Sequence, residues 1–245
     1  MIGAAMPEKT IGILGGMGPE ATIDLFAKIV KGTRVRKDQD HLRILIDNNA
    51  KIPDRTLAIQ GKGPSPLPLL IEGGRALEKA GADFIIIPCV TAHHFHPGLQ
   101  KKLHIPVLHI VEEMMKYIRA RLKGIRKIGL IATTGTVHTG LFQKTFSGSP
   151  IELILPSPQV QKNRVMEAIY GKNGIKAIGP SAHSKRLVLT ACNALIEQGA
   201  RAILAGCTEI PLVLKEGDLA IPVIDPISIL AKAAVERAGG RWRKA

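Results

Sequence analysis

Aromatic residues are scarce in this chain, 3% of 245 positions with a single tryptophan. Few surfaces for base stacking are on offer, which argues against a protein that reads nucleic acid. Acidic residues are outnumbered, 20 against 34 Lys and Arg, for a formal charge of +14. The basic residues are nevertheless scattered, and only Arg241, Arg243 and Lys244 cluster. This pattern describes a solvated basic surface with a general attraction for small anions. Cysteine is rare too: three residues, with no CxxC and no Cys/His ligand spacing, exclude a disulfide framework and supply no metal pattern. No stretch reaches the roughly 18 uninterrupted apolar residues of a membrane span, and the opening MIGAAMPEKT lacks the basic region and apolar core of a signal peptide. The expectation is a cytoplasmic protein with reduced thiols and with no metal, membrane or nucleic-acid partner.

What is present is alternation and repetition. Short β-branched runs alternate with longer helical segments, the pattern of a parallel sheet with helices on both faces. The expected strands are 11–14, 43–47, 84–88, 106–109, 128–132, 151–155, 202–205 and 221–224. The Pro/Gly-rich stretch 61–68 reads as a surface loop before a helix over 69–80. The segment Lys9-Thr10-Ile11-Gly12-Ile13-Leu14 recurs in kind as Arg126-Lys127-Ile128-Gly129-Leu130-Ile131. Gly81 stands eight residues before Cys89, and Gly199 stands eight before Cys207. Each cysteine is followed by a helical stretch and then Ile-Pro-Val, at 105–107 and 221–223. Gly12 lies 77 residues before Cys89 and Gly129 lies 78 before Cys207, so the halves keep register. The fold expected is α/β: two pseudo-symmetric, doubly wound parallel-sheet domains, residues 1–110 with 225–245 and residues 111–224, with a cleft between them holding the active site.

Both cysteines stand at the carboxyl ends of strands, where open parallel sheets bind ligands, and a following helix start favours a thiolate. Cys192, inside a helical pattern, reads instead as a small buried hydrophobe. Inverting a stereocentre by proton transfer needs one group to take a proton from one face and another to supply one to the opposite face. Two thiols related by a repeat meet that need. Backbone N–H groups at the helix starts and the hydroxyls of Thr91 and Thr208 are candidates to hold an α-carboxylate as charge builds on it.

Several motifs resemble those of the aspartate/glutamate racemase family. Gly15-Gly16-Met17-Gly18-Pro19-Glu20-Ala21-Thr22 looks like the opening motif of aspartate racemases, and Ile52-Pro53-Asp54-Arg55-Thr56 resembles their IPDRT loop. Pro88-Cys89-Val90-Thr91-Ala92-His93 and Gly206-Cys207-Thr208-Glu209-Ile210 resemble the two cysteine motifs. The resemblance implies cofactor-independent racemisation of a small acidic amino acid by a homodimer, with Cys89 and Cys207 catalytic. It implies that Arg55 clamps the substrate's side-chain carboxylate, which suits a bidentate guanidinium. Lys176 matches the family's assisting lysine, with Lys172 the neighbouring alternative. Met17, Gly18 and Asn49 fall where the family lines its cleft, and Thr208 and Glu209 of the second cysteine motif are expected to bind substrate. Val90 departs from the pattern, since the family has asparagine there. The histidines 93, 94 and 96 read as partly exposed.

Two rival readings remain. Gly16-Met17-Gly18-Pro19-Glu20-Ala21 after a strand also fits the dinucleotide fingerprint, with Asp47 ending the second strand, as in an NAD-dependent enzyme. Val90 in turn motivates an amino-acid-binding homologue with weakened turnover. Hydantoin racemase, maleate isomerase and glutamate racemase share paired cysteines or the fold, so architecture is better specified than reaction.

Overall fold

A computed structural model describes residues 8–243. Lys244 of the basic cluster lies outside that range. The strands form two parallel sheets. In the first, β2 (Ile44–Asn48), β1 (Ile11–Gly15) and β3 (Phe84–Ile86) lie in that order; in the second, β5 (Glu152–Ile154), β4 (Lys127–Ile131), β6 (Ala202–Ala205) and β7 (Val223–Ile224). Among the described residues no helix is long and apolar enough to cross a membrane.

The repeat read from the sequence reappears in the pairing. β1 takes the part of β4, β2 of β5 and β3 of β6, and Gly12 and Gly129 occupy equivalent central positions on β1 and β4. A Cβ on Gly12 would meet Ile85 Cγ1 at 3.3 Å and one on Gly129 would meet Ile203 Cδ1 at 2.9 Å, the same neighbour in both repeats. The expected strand at 106–109 is instead a single bridge between Val107 and Ile85. Ile85 N–H donates to Pro106 O at 2.9 Å, as Ile203 N–H does to Pro222 O at 2.9 Å, so the bridge occupies the place of β7. β3 ends in a turn, with Cys89 N–H on Ile87 O at 2.8 Å, as β6 does with Gly206 N–H on Leu204 O at 2.9 Å. Gln100 and His96 side chains take up the N–H and C=O of Val107. The edge is thereby closed to another strand. The helix expected at 69–80 runs over Leu67–Lys79, because Pro66 and Pro68 suit its cap and first turn.

Side chains along each strand alternate between two cores, as the period of two requires. Leu14, Ile85 and Ile87 face the Leu67–Lys79 helix with Leu70 and Leu77. Ile203 and Ala205 face the Ala182–Glu197 helix with Val188, Cys192 and Leu195. The opposite faces of both sheets share one core: Ile11, Ile13, Phe84 and Ile86 join Ile128, Leu130, Ala202 and Leu204 around Leu25, Met114, Phe142 and Leu230. The C-terminal helix Pro226–Arg237 packs in this layer against Pro19–Gly32 and Ile110–Arg121. Cys192 is a core residue as expected, its thiol pushed up to about 12 by burial.

The turns feeding β3 and β6 test the repeat energetically. Gly81 and Gly199 have φ of +94° and +97°, and Ala82 and Ala200 N–H each donate at 3.0 Å to a carbonyl of the preceding helix. A Cβ at either glycine meets nothing nearer than 3.7 Å, so the demand is on the backbone alone. Gly81→Ala and Gly199→Ala should each cost about 1–2 kcal/mol in urea unfolding, and the double variant should add to within about 0.5 kcal/mol because the sites are separate. A neutral effect at one of the two would break the equivalence.

Candidate active site

Both cysteines follow sheet strands by two or three residues and are 5% exposed. Cys89, Val90 and Thr91 from the first half and Cys207, Thr208 and Glu209 from the second line one small cavity. Met17, Arg55, Thr133, Tyr170 and Lys176 complete its walls. The segments following the cysteines are short: a 3-10 turn Thr91–Phe95 after Cys89 and a single-turn helix Ile210–Val213 after Cys207. Their dipoles are correspondingly small, and the expectation that a helix start favours a thiolate fails at Cys207. Burial, then the charge of Glu209, raises that thiol well above its usual range.

Glu209 organises the second half of the site. Its carboxylate is 3% exposed, accepts the Cys207 thiol at 2.8 Å and pairs with Lys176 Nζ. Burial alone would raise this carboxyl, but Lys176 and the bonds from the thiol and ammonium hold it below the usual carboxylate value. Burial likewise opposes the Lys176 charge, and Glu209 and the two sulfurs more than offset it, so its pKa is raised. Lys176 Nζ also donates to Met17 O at 3.2 Å. Thr208 Oγ1 donates to Pro88 O at 3.0 Å, a second tie between the halves.

Cys89 has a different setting. Cys89 lies near the Arg55 guanidinium, whose charge burial opposes and Cys89, Tyr170 and Asp54 favour. Arg55 is 7% exposed and donates to the carbonyls of Ile52, Pro53 and Met17 at 2.8–3.1 Å, while its buried Nε has no partner. Tyr170 Oη donates to Asp54 Oδ2 at 2.8 Å, and its ring lies 5.7 Å from Lys176 Nζ. The hydroxyls of Thr91, Thr133 and Thr136 form a closed triangle with sides of 2.8–3.1 Å. His93 is buried, its Nδ1 donating to Cys89 O at 2.9 Å. Burial, with His109 and His96 adding to it, lowers its pKa to about 3. Partial exposure, expected for the three histidines, holds at His96, while His94 is exposed and His93 is enclosed.

The structure thus brings together Met17, Arg55, Cys89, Val90, Thr91, Lys176, Cys207, Thr208 and Glu209. Gly18 is beside them, since a Cβ there would lie 3.5 Å from Glu209 Oε1. Asn49 is not in the cavity wall; its Oδ1 accepts from Lys51 N–H at 2.9 Å, a local turn role. Lys172 is exposed, leaving Lys176 as the lysine at the site. Thr133, Thr136 and Tyr170 were not anticipated. The repeat held a signal for Thr133, which stands four residues after Gly129 as Gly16 stands four after Gly12; Thr136 and Tyr170 had none. The nucleotide reading finds no support. The Met17 carbonyl is taken by Arg55 and Lys176, and Asp47 lies against Gly73, where a Cβ would sit 2.2 Å from its Oδ2.

The enclosed space is about 10 Å³, room for one water at most. A molecule the size of an amino acid does not fit that space. A cavity of about 630 Å³ lies elsewhere, against Lys28, Tyr117, Pro211 and Trp242, and has no cysteine in its wall. Size is therefore no guide to the chemistry here.

The family model described as Asp/Glu/Hydantoin racemase matches residues 14–234. The broad specificity amino-acid racemase RacX of Bacillus subtilis is 32% identical over 232 residues, covering 92% of this chain and 96% of that protein. A glutamate racemase of Corynebacterium glutamicum is 26% identical over 233 residues, covering 88% and 76%. Among solved structures, the aspartate racemase of Picrophilus torridus superposes with a TM-score of 0.83 at 28% identity, covering 96% of each chain.

Buried, neutral His93 makes the site acid-sensitive. Its folded pKa of about 3 lies below the ordinary 6.5, so between these values the unfolded chain binds the extra proton, and stability present above 6.5 is lost as pH falls. Relative to His93→Asn, the wild type should lose up to about 1.4 kcal/mol more per pH unit between roughly pH 6 and 4. Denaturant unfolding across that range reads the difference, and parallel slopes would place the proton elsewhere.

Proposed function

The chain belongs to the Asp/Glu/hydantoin racemase family, and we propose on that footing that it inverts the α-carbon of an acidic amino acid without a cofactor, through Cys89 and Cys207. The observation that carries this reading is the meeting of the two repeat-related thiols in one buried cavity. A thiolate at Cys89, beside Arg55, removes the α-proton from one face. The Cys207 thiol, held in its protonated form by burial and Glu209, supplies a proton to the other. In the opposite direction Cys207 must first lose its proton, and the carboxylate already accepting that S–H is the acceptor in contact. Lys176 and the unpartnered Nε–H of Arg55 are the charged donors available to a substrate carboxylate.

In this reading the lobes divide as 1–110 with 225–245 and 111–224, and the packing of the C-terminal helix on Pro19–Gly32 supports returning it to the first lobe. A homodimer is favoured by exposed apolar side chains, Ile23 and Phe26 on the Pro19–Gly32 helix and Ile46 on the edge strand β2, all at least 40% exposed.

A second reading concerns the substrate. Val90 is 1% exposed and puts an isopropyl group in the cavity wall where the resemblance leads one to expect an amide. The breadth in the name of the Bacillus subtilis relative favours a pocket not restricted to acidic side chains.

Cys89→Ser and Cys207→Ser should each abolish racemisation, because a serine hydroxyl is too weak an acid to serve as the base. Each single variant should still exchange the α-proton of one enantiomer with deuterated buffer, and the two should show opposite preferences by proton NMR. Loss of neither activity on serine substitution would exclude the two-thiol scheme. Val90→Asn separates the substrate readings: kcat/KM for aspartate or glutamate should rise if the missing amide limits turnover on acidic substrates. A fall would assign the pocket to another amino acid.

A further inference from the structure

The basic cluster noted at the end of the sequence has no part in the site above. Residues 241–243 run antiparallel to the chain leaving the Pro19–Gly32 helix. Thr33 and Trp242 form a bridge, Arg34 N–H donates to Arg241 O at 2.8 Å, and Arg243 N–H donates to Gly32 O at 2.7 Å. Side chains alternate across such a ribbon. Trp242 turns toward the helix, its ring filling the space beside Gly32, where a Cβ would lie 2.2 Å away. Arg241 and Arg243 therefore leave by the opposite face, and Arg34, paired with Arg241, leaves by the same one. The three arginines, with Val35 and Trp242, line a concavity of about 540 Å³.

All three arginines are exposed, and among the described residues none has a salt-bridge partner. Only Arg243 makes a side-chain hydrogen bond, Nη2 to Thr33 O at 3.4 Å. Three like charges held side by side on a fixed backbone repel one another, whereas an anion with many oxygens satisfies their forked donors together. One guanidinium already matches a carboxylate. Three call for several anionic groups in a row. We propose that Arg34, Arg241 and Arg243 form a binding site for a small oligophosphate-bearing ligand, separate from the thiol cavity.

Trp242 is the chain's only tryptophan and reports on the site directly. Its emission, titrated with inorganic tripolyphosphate on the wild-type protein, should change saturably and continue to do so against a background of sodium chloride near physiological strength. The variant Arg241→Gln/Arg243→Gln and, separately, Arg34→Gln should each weaken binding about tenfold or more, the value of one or more charge-assisted hydrogen bonds. Racemase activity and the unfolding midpoint should stay unchanged. Because Trp242 also borders the larger cavity, the arginine variants and not the emission change alone localise the ligand. Arg34→Gln removes no side-chain bond in the described structure, so it remains informative if the double variant unfolds. An emission change that grows without saturation and is matched by sodium chloride at equal ionic strength overturns the proposal, as does saturable binding indifferent to all three arginines. Vesicles of anionic phospholipid form the second arm: binding to them without any response to tripolyphosphate would assign the patch to a membrane surface and reject the small-ligand site.

Discussion

A buried negative charge holds the junction of the two halves. The Glu209 carboxylate is withdrawn from water, which costs several kcal/mol unless a cation and hydrogen-bond donors replace the lost solvent. Lys176 supplies the cation, and the same ammonium reaches across to the Met17 carbonyl in the turn after β1. Arg55 bonds to that carbonyl as well. One oxygen of the first half is thus gripped by cations from both, and the cavity walls follow from that grip. The thiol of Cys207 is drawn into the same system, which ties its protonation to the pairing of Glu209 with Lys176.

The halves are alike in backbone and unlike in chemistry. β1 and β4, β3 and β6, and the glycine turns before each cysteine superimpose as ideas of the same unit. At the strand ends the equivalence stops: one sulfur sits beside a guanidinium, the other donates to a carboxylate. Two equivalent positions are thereby surrounded by groups of opposite charge.

Much of this was legible in the residues. Short β-branched runs between helical segments placed the strands, and the spacing of Gly81 from Cys89 and Gly199 from Cys207 paired the halves, because only a residue tolerant of positive φ suits those turns. Local patterning could not show that Val107 would form only one bridge, since that depends on side chains of Gln100 and His96 folding back onto it. Nor could it show the triangle of Thr91, Thr133 and Thr136, or the approach of Tyr170 to Asp54, each made between segments at least 42 positions apart. Asn49 was drawn into the site by its place in a motif, while its amide serves the local turn.

The core shared by the two sheets has a consequence for the origin of such a molecule. If the repeat records the doubling of an ancestral gene segment, a single half was not a finished molecule. Cut between the halves, each piece would present to water the face of its sheet carrying Ile11 and Phe84, or Ile128 and Leu204. An ancestor with that surface would have met a second copy of itself, and the covalent join would then have turned a bimolecular encounter into a permanent neighbour. Freed from identity, the two strand ends could then diverge in the residues that surround each sulfur.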